Sequence, residues 1–161
     1  MDNTDILIKI RKIVRSINLE SKKIHRDYGV SIPQILCLNY LKNSPDFQST
    51  QKDICSFLNL NPSTVTGIIN RLESKGFIAR LPKKDDKRKT SIVLTSKSSV
   101  LLKKIPPLMH ERLSRNLQTM SPADAEKINE ALDLLIDYFD IENIDASPLI
   151  TFEDEIAGLR Q

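Results

Sequence analysis

Apolar positions recur every three or four residues over about residues 5–28, where Ile6, Ile10, Ile13 and Ile17 are followed a heptad later by Ile24. Leu7 and Val14 widen the stripe, and Lys and Arg fill the other face. That period predicts an amphipathic helix, which Gly29 ends. Ser31-Ile32-Pro33-Gln34 reads as a capping box opening a second helix to about Lys42, with Ile35, Leu36, Leu38 and Leu41 as its apolar residues. Asn43–Ser49 reads as a loop. Thr50–Asp53 reads as another capping box before a short helix through Leu58, and Asn59-Leu60 as a tight turn. Asn61 then suits an N-cap and Pro62 the first helical position. Val65, Ile68, Ile69 and Leu72 follow as one narrow stripe, and Gly76 suits the left-handed residue that closes the helix.

Two short β-prone runs come next, residues 77–81 and 90–94, flanking PKKDDKRK. Beyond them Ser96–Met120 carries Leu101, Leu102, Ile105, Leu108, Met109, Leu113 and Leu117 at helical spacing. Pro106-Pro107 lies in the middle, and the expectation is one helix bent there. Ser121-Pro122-Ala123-Asp124 reads as a third capping box. The last helix, to about Ile141, sets Ala125, Ile128, Leu132, Leu135 and Phe139 on one side and Leu134, Ile136, Tyr138 and Ile141 on a second. A surface helix needs one apolar stripe, so the second asks for another partner.

The polar pattern singles out the helix after Asn61. Opposite its stripe stand Ser63, Thr64, Thr66, Gly67, Asn70 and Arg71, with no acid among them. An ordinary solvated face mixes Glu with Lys. A face of Ser, Thr, Asn and Arg can donate and accept at base edges while passing close to phosphates. Two readings fit Gly67: close approach of the backbone to DNA, or a tolerated weak spot. Arg71 can reach a phosphate or pair internally with an acid. The run between the two strands holds five Lys/Arg and two Asp, a solvated hairpin tip in most settings. Here it follows a recognition-type helix, where Arg88 can enter a minor groove and Lys83, Lys84, Lys87 and Lys89 can follow the backbone. Asp86 is placed to orient Arg88 or a backbone group of the hairpin.

Charge supports this localisation. The formal net charge is +3, but residues 50–100 carry ten Lys/Arg against four Asp/Glu, while residues 140–161 hold six acids and one Arg. Phosphate neutralisation needs such a local concentration of cations more than a high overall pI. Catalysis has little to work with. His25 and His110 are the only histidines, the four glycines are scattered, and the acid pairs Asp85-Asp86 and Glu153–Glu155 fall on the hairpin tip and in the tail. No cofactor or metal set is expected. The apolar runs are far short of a membrane span, and the N-terminus lacks a signal-peptide pattern. Cys37 and Cys55 have no metal spacing. A cytoplasmic protein with reduced, buried and inert thiols is expected.

These pieces resemble the MarR family, the multiple-antibiotic-resistance-type transcriptional regulators. The resemblance is carried by NPSTVTGIINRLESKGFIAR, by Asp86-Lys87-Arg88 ahead of a strand ending in Leu94-Thr95, and by Gly29–Leu36 at the start of the second helix. It covers about residues 5–140, with the motifs in the family's order and spacing. It implies a mainly α fold with a small β-wing, in which residues 31–95 form a winged helix-turn-helix. Residues 1–30 and 96–141 would form a helical dimerisation region, and residues 142–161 an acidic tail that departs from the family pattern. It implies a homodimer reading a pseudo-palindromic operator in double-stranded DNA, with Asn61 and the polar residues of the following helix at the interface. It also implies a small-molecule effector, often phenolic or lipophilic. His25, Tyr28, Tyr40, Met109 and His110 are the candidates near its cleft, each more readily read as ordinary core or surface. The family's peroxide sensors use a cysteine late in the first helix, and this chain has none before Cys37. The competing class is a winged helix that binds only protein, which more often lacks a basic wing.

Overall fold

The computed structural model describes residues 3–83, 85–86 and 88–141. The readings placed on Lys84, Lys87 and the 142–161 tail lie outside the described residues. Two compact units are present, one running to Pro106 and the other beginning at Pro107.

The first unit contains α1 (Asn3–Tyr28), α2 (Ile32–Lys42), a 3-10 turn (Pro45–Phe47), β1 (Gln48–Ser49), α3 (Gln51–Leu58), α4 (Pro62–Ser74), β2 (Ile78–Pro82), β3 (Thr90–Leu94) and α5 (Ser96–Lys104). Its centre is α2, with eight buried residues. It packs against α1, α3, α4, α5, β1 and β3. Ser31 caps it reciprocally: the Gln34 N–H donates to Ser31 Oγ at 3.3 Å, and the Ser31 N–H donates to Gln34 Oε1 at 3.0 Å. Gln34 is thereby satisfied although only 3% exposed, as a buried amide must be.

The turn between α3 and α4 is made by Asn59, in the left-handed conformation at φ 51°, which Asn tolerates better than most residues. At the other end of α4, the Gly76 N–H donates to the Glu73 carbonyl and the Phe77 N–H to the Leu72 carbonyl, both at 2.9 Å. This is a Schellman closure, and it requires the φ of +76° that Gly76 supplies. The start of α5 then locks the junction. Thr95 Oγ1 donates to the Gly76 carbonyl at 2.7 Å, Lys97 Nζ to the Lys75 carbonyl at 2.6 Å, and buried Ser98 Oγ to the Phe77 carbonyl. The Lys97 ammonium also sits 4.8 Å from the centre of the Phe77 ring.

Three expectations need correction. The stretch 43–49 is not all loop: Gln48 and Ser49 pair antiparallel with Val93 and Ile92, giving a sheet of order β1-β3-β2. The Thr50 and Ser121 boxes are half boxes. Each hydroxyl accepts from the N–H three residues on, but the Asp53 and Asp124 carboxylates accept from the cap hydroxyls, at 2.7 and 2.8 Å. Asp is one methylene shorter than the Glu or Gln that reaches the cap backbone. Finally, Ser96–Met120 is not one bent helix. α5 stops at Lys104, and α6 runs Met109–Gln118. Ile105 is extended, at φ −76° and ψ 126°. A residue before proline is pushed out of the helical region, and two consecutive prolines remove two N–H donors.

The second unit holds α6 and α7 (Pro122–Phe139), the latter capped by Ser121. Neither helix has a buried residue; Leu132 is 50% and Tyr138 87% exposed. In the first unit α1 has the same character, with only Ile24 buried and Ile13 59% exposed. Among the described residues no helix is long and apolar enough to cross a membrane.

Cys37 is fully buried in α2, and burial pushes its thiol up to about 12. Cys55, only partly buried, is raised by the same cause. Because the thiolate is the reactive form, iodoacetamide at pH 8 should spare Cys37 in the native protein and modify both thiols after unfolding. Peptide mass mapping reads this directly. For Gly76→Ala, no atom blocks the added methyl more closely than Lys97 Cδ at 3.8 Å, so the cost is backbone strain alone. Thermal denaturation should show a loss of about 1–2 kcal/mol.

Candidate nucleic-acid interface

The stripe of α4 is fully sequestered: Val65, Ile68, Ile69 and Leu72 are all buried. The helix is thus fixed in rotation, and what it turns outward is decided. Asn61, Ser63, Asn70 and Arg71 are exposed, while Thr64, Thr66 and Gly67 are half-buried.

Several of these polar groups are already committed. Asn61 Oδ1 accepts from the Thr64 N–H at 2.8 Å and from Ser63 Oγ at 2.7 Å. Thr66 Oγ1 donates to the Pro62 carbonyl at 2.8 Å and accepts from Gln51 Nε2 at 2.7 Å. Its hydroxyl therefore joins α3 to α4 inside the helix-turn-helix. Gly67 is helical, and a methyl there would stand 3.2 Å from the Arg71 guanidinium, the far end of a flexible side chain. Of the two roles open to Arg71, the internal one is not filled: among the described residues no acid pairs with it.

The neighbouring acid Glu73 pairs with Arg80 on β2, through the guanidinium NH1. The other fork of Arg80, NH2, donates to Asn70 Oδ1 at 2.7 Å. Sequence reasoning missed Arg80, Glu73 and Gln51. The only signal available was an acid and a base seven residues apart across the Gly76 turn, and that separation has meaning only once the turn geometry is known.

The hairpin between β2 and β3 is closed by its own backbone. The Lys83 N–H donates to the Lys89 carbonyl at 2.8 Å and the Lys89 N–H to the Asp86 carbonyl at 3.0 Å. Asp86 Oδ1 accepts from the Arg88 N–H at 3.0 Å. Arg88 and Lys89 are exposed and Lys83 is half-buried; Lys84 and Lys87 are outside the described residues.

The residues considered for an effector cleft have separate settings. The Tyr28 hydroxyl donates to the Lys104 carbonyl at 3.1 Å, tying α1 to α5. Tyr40 stacks on Phe57 with ring centres 4.6 Å apart, and it lines a cleft with the 3-10 turn, β1 and the base of the hairpin. His25 is exposed, and Met109 is half-buried. His110 lines a shallow groove on α6 with Pro107, Glu111, Ser114 and Arg115.

The architecture and its relatives agree. Residues 30–90 match the model of the MarR family. YfiV of Bacillus subtilis (strain 168), described as an uncharacterised HTH-type transcriptional regulator, is 25% identical over 134 residues, spanning 83% of this chain and 82% of YfiV. YetL of the same organism, an HTH-type transcriptional repressor, is 24% identical over 123 residues, 76% of this chain and 72% of its own. Among solved structures, the S. aureus MepR–DNA complex has the same fold, with a TM-score of 0.62 at 21% identity over 81% of this chain and 96% of MepR. The part of the chain that matches the MarR family model, residues 30–90, is the helix-turn-helix and wing.

Proposed function

We propose that this protein is a sequence-specific regulator of transcription that binds double-stranded DNA as a homodimer and represses from a pseudo-palindromic operator. One observation carries the reading: α4 buries its whole apolar stripe and turns out an acid-free polar face, Ser63, Asn70 and Arg71, beside a hairpin whose Arg88 and Lys89 are exposed. A helix so held can lie in a major groove while the hairpin reaches the neighbouring backbone or minor groove. Ser63 and Asn70 are assigned to base edges or phosphate, Arg71 to phosphate, Arg88 to the minor groove, and Lys83 and Lys89 to non-specific affinity. Asn61 and Thr66 are assigned to holding the helix. The MepR complex with DNA supports this use of the fold, and the naming of YetL as a repressor supports the direction of control.

The homodimer rests on surface chemistry. Apolar side chains of this number on α1, α6 and α7 are uncovered in the single chain, among them Ile13, Leu113, Leu132, Leu134 and Phe139. Apolar surface on this scale marks contact with a partner. Two-fold symmetry would place two copies of α4 about one DNA turn apart, roughly 34–36 Å.

Duplexes selected from a random pool, followed by binding titrations at several salt concentrations, test the reading. Neutralising about six to ten phosphates should cost roughly 10³–10⁵ in affinity between 50 and 200 mM salt. No affinity for any duplex at low salt would leave the alternative, a winged helix that binds protein. Sedimentation should give a dimer at micromolar concentration; a monomer with undiminished operator affinity would exclude the two-fold arrangement.

Gly67→Ala separates the two readings of that glycine. Removing glycine from a helix interior should stabilise the fold by up to about 1 kcal/mol, since only the Arg71 side chain must give way. If the backbone approaches DNA there, operator affinity falls while the melting temperature rises; unchanged affinity would mean that Gly67 has no part in the interface.

A further inference from the structure

Arg80 is not on α4, yet it determines what α4 can say. Guanidinium groups have only donors. The atom of Asn70 that meets Arg80 NH2 at 2.7 Å must therefore be the carbonyl oxygen, and the amide nitrogen must lie on the other side. The guanidinium cannot swing away freely, because its NH1 is paired with Glu73. Both members of that pair are partly shielded, with side chains 31% and 39% exposed. Asn70 itself is exposed, on the same face as Ser63 and Gly67, and its amide nitrogen has no other partner among the described residues.

We propose that Arg80, held by Glu73, is a positioning residue for base recognition: it locks the Asn70 amide with its NH2 outward, so that α4 presents a hydrogen-bond donor and rejects a donor on the DNA. In the major groove guanine offers two acceptors, adenine N7 and thymine O4 one each, while cytosine offers only its N4 amino donor. The fixed amide thus excludes cytosine at one position of each half-site. An Asn free to turn over presents oxygen or nitrogen equally well and loses that exclusion.

This inference rests on the DNA-binding reading above, and one experiment separates the two. Duplexes are selected from a random pool with the full chain and with Arg80→Met, Arg80→Lys and Asn70→Asp, each variant being checked by thermal melting. The wild-type protein should exclude cytosine at one position per half-site. Arg80→Met should relax that exclusion about tenfold and leave preferences elsewhere unchanged. Arg80→Lys, which keeps the charge but cannot fork between Glu73 and Asn70, should relax it as well. Asn70→Asp keeps the oxygen that Arg80 holds and replaces the donor with an acceptor, so preference at the same position should invert towards cytosine. If Arg80→Met weakens every duplex equally with its preferences intact, Arg80 is merely structural and the proposal falls while the DNA reading stands. Should the Arg80 variants fail to fold, Asn70→Asp decides: cytosine still excluded overturns the proposal. If the wild-type chain selects no duplex, the proposal falls together with the reading beneath it.

Discussion

Apolar side chains point round the whole circumference of α2: Ile32, Ile35, Leu36, Leu38 and Leu41 are all buried. A helix of that kind cannot lie on a surface. It has to be wrapped, and the wrapping is the domain, since α1, α3, α4, α5, β1 and β3 all pack on it. The polar groups drawn inside with it must find partners in place, which is why Ser31 and Gln34 answer each other at its entrance. Once α2 is covered, the recognition helix has one place to put its stripe, and its outward face follows from rotation alone.

Apart from the half boxes at Thr50 and Ser121, chemistry that works within three or four residues was readable in advance. Asn61 and Pro62 at the start of α4, Gly76 at its end, Ser31 with Gln34, and the stripe Val65–Leu72 are all local, and each forms as the order of residues implies. Contacts between elements were not readable. β1 is two residues long, too short to show an alternating pattern, and exists because β3 offers it a free edge. The Arg80 fork depends on how the Gly76 turn lays β2 beside α4. Pro106-Pro107 misled for a different reason. Ile105 and Leu108 keep helical spacing across the break, so side-chain periodicity hid a backbone with two donors missing.

Side-chain hydrogen bonding also edits a candidate surface in a way that composition cannot. Ser63, Thr66 and Asn70 look interchangeable as polar residues on one face. In the folded chain the Thr66 hydroxyl is used twice within the helix-turn-helix, the Ser63 hydroxyl donates to Asn61, and the Asn70 oxygen is held by Arg80. What remains to offer a partner is a smaller and more directional set than the list of polar residues suggests.

The junction of α4 with α5 has a mechanical meaning. The carbonyls of Lys75, Gly76 and Phe77, just past the end of α4, each accept a hydrogen bond from a side chain at the start of α5. Such a splice resists sliding and twisting, because either motion would strand several acceptors at once. A displacement of α5 therefore carries the end of α4 with it, and the two helices move as one piece.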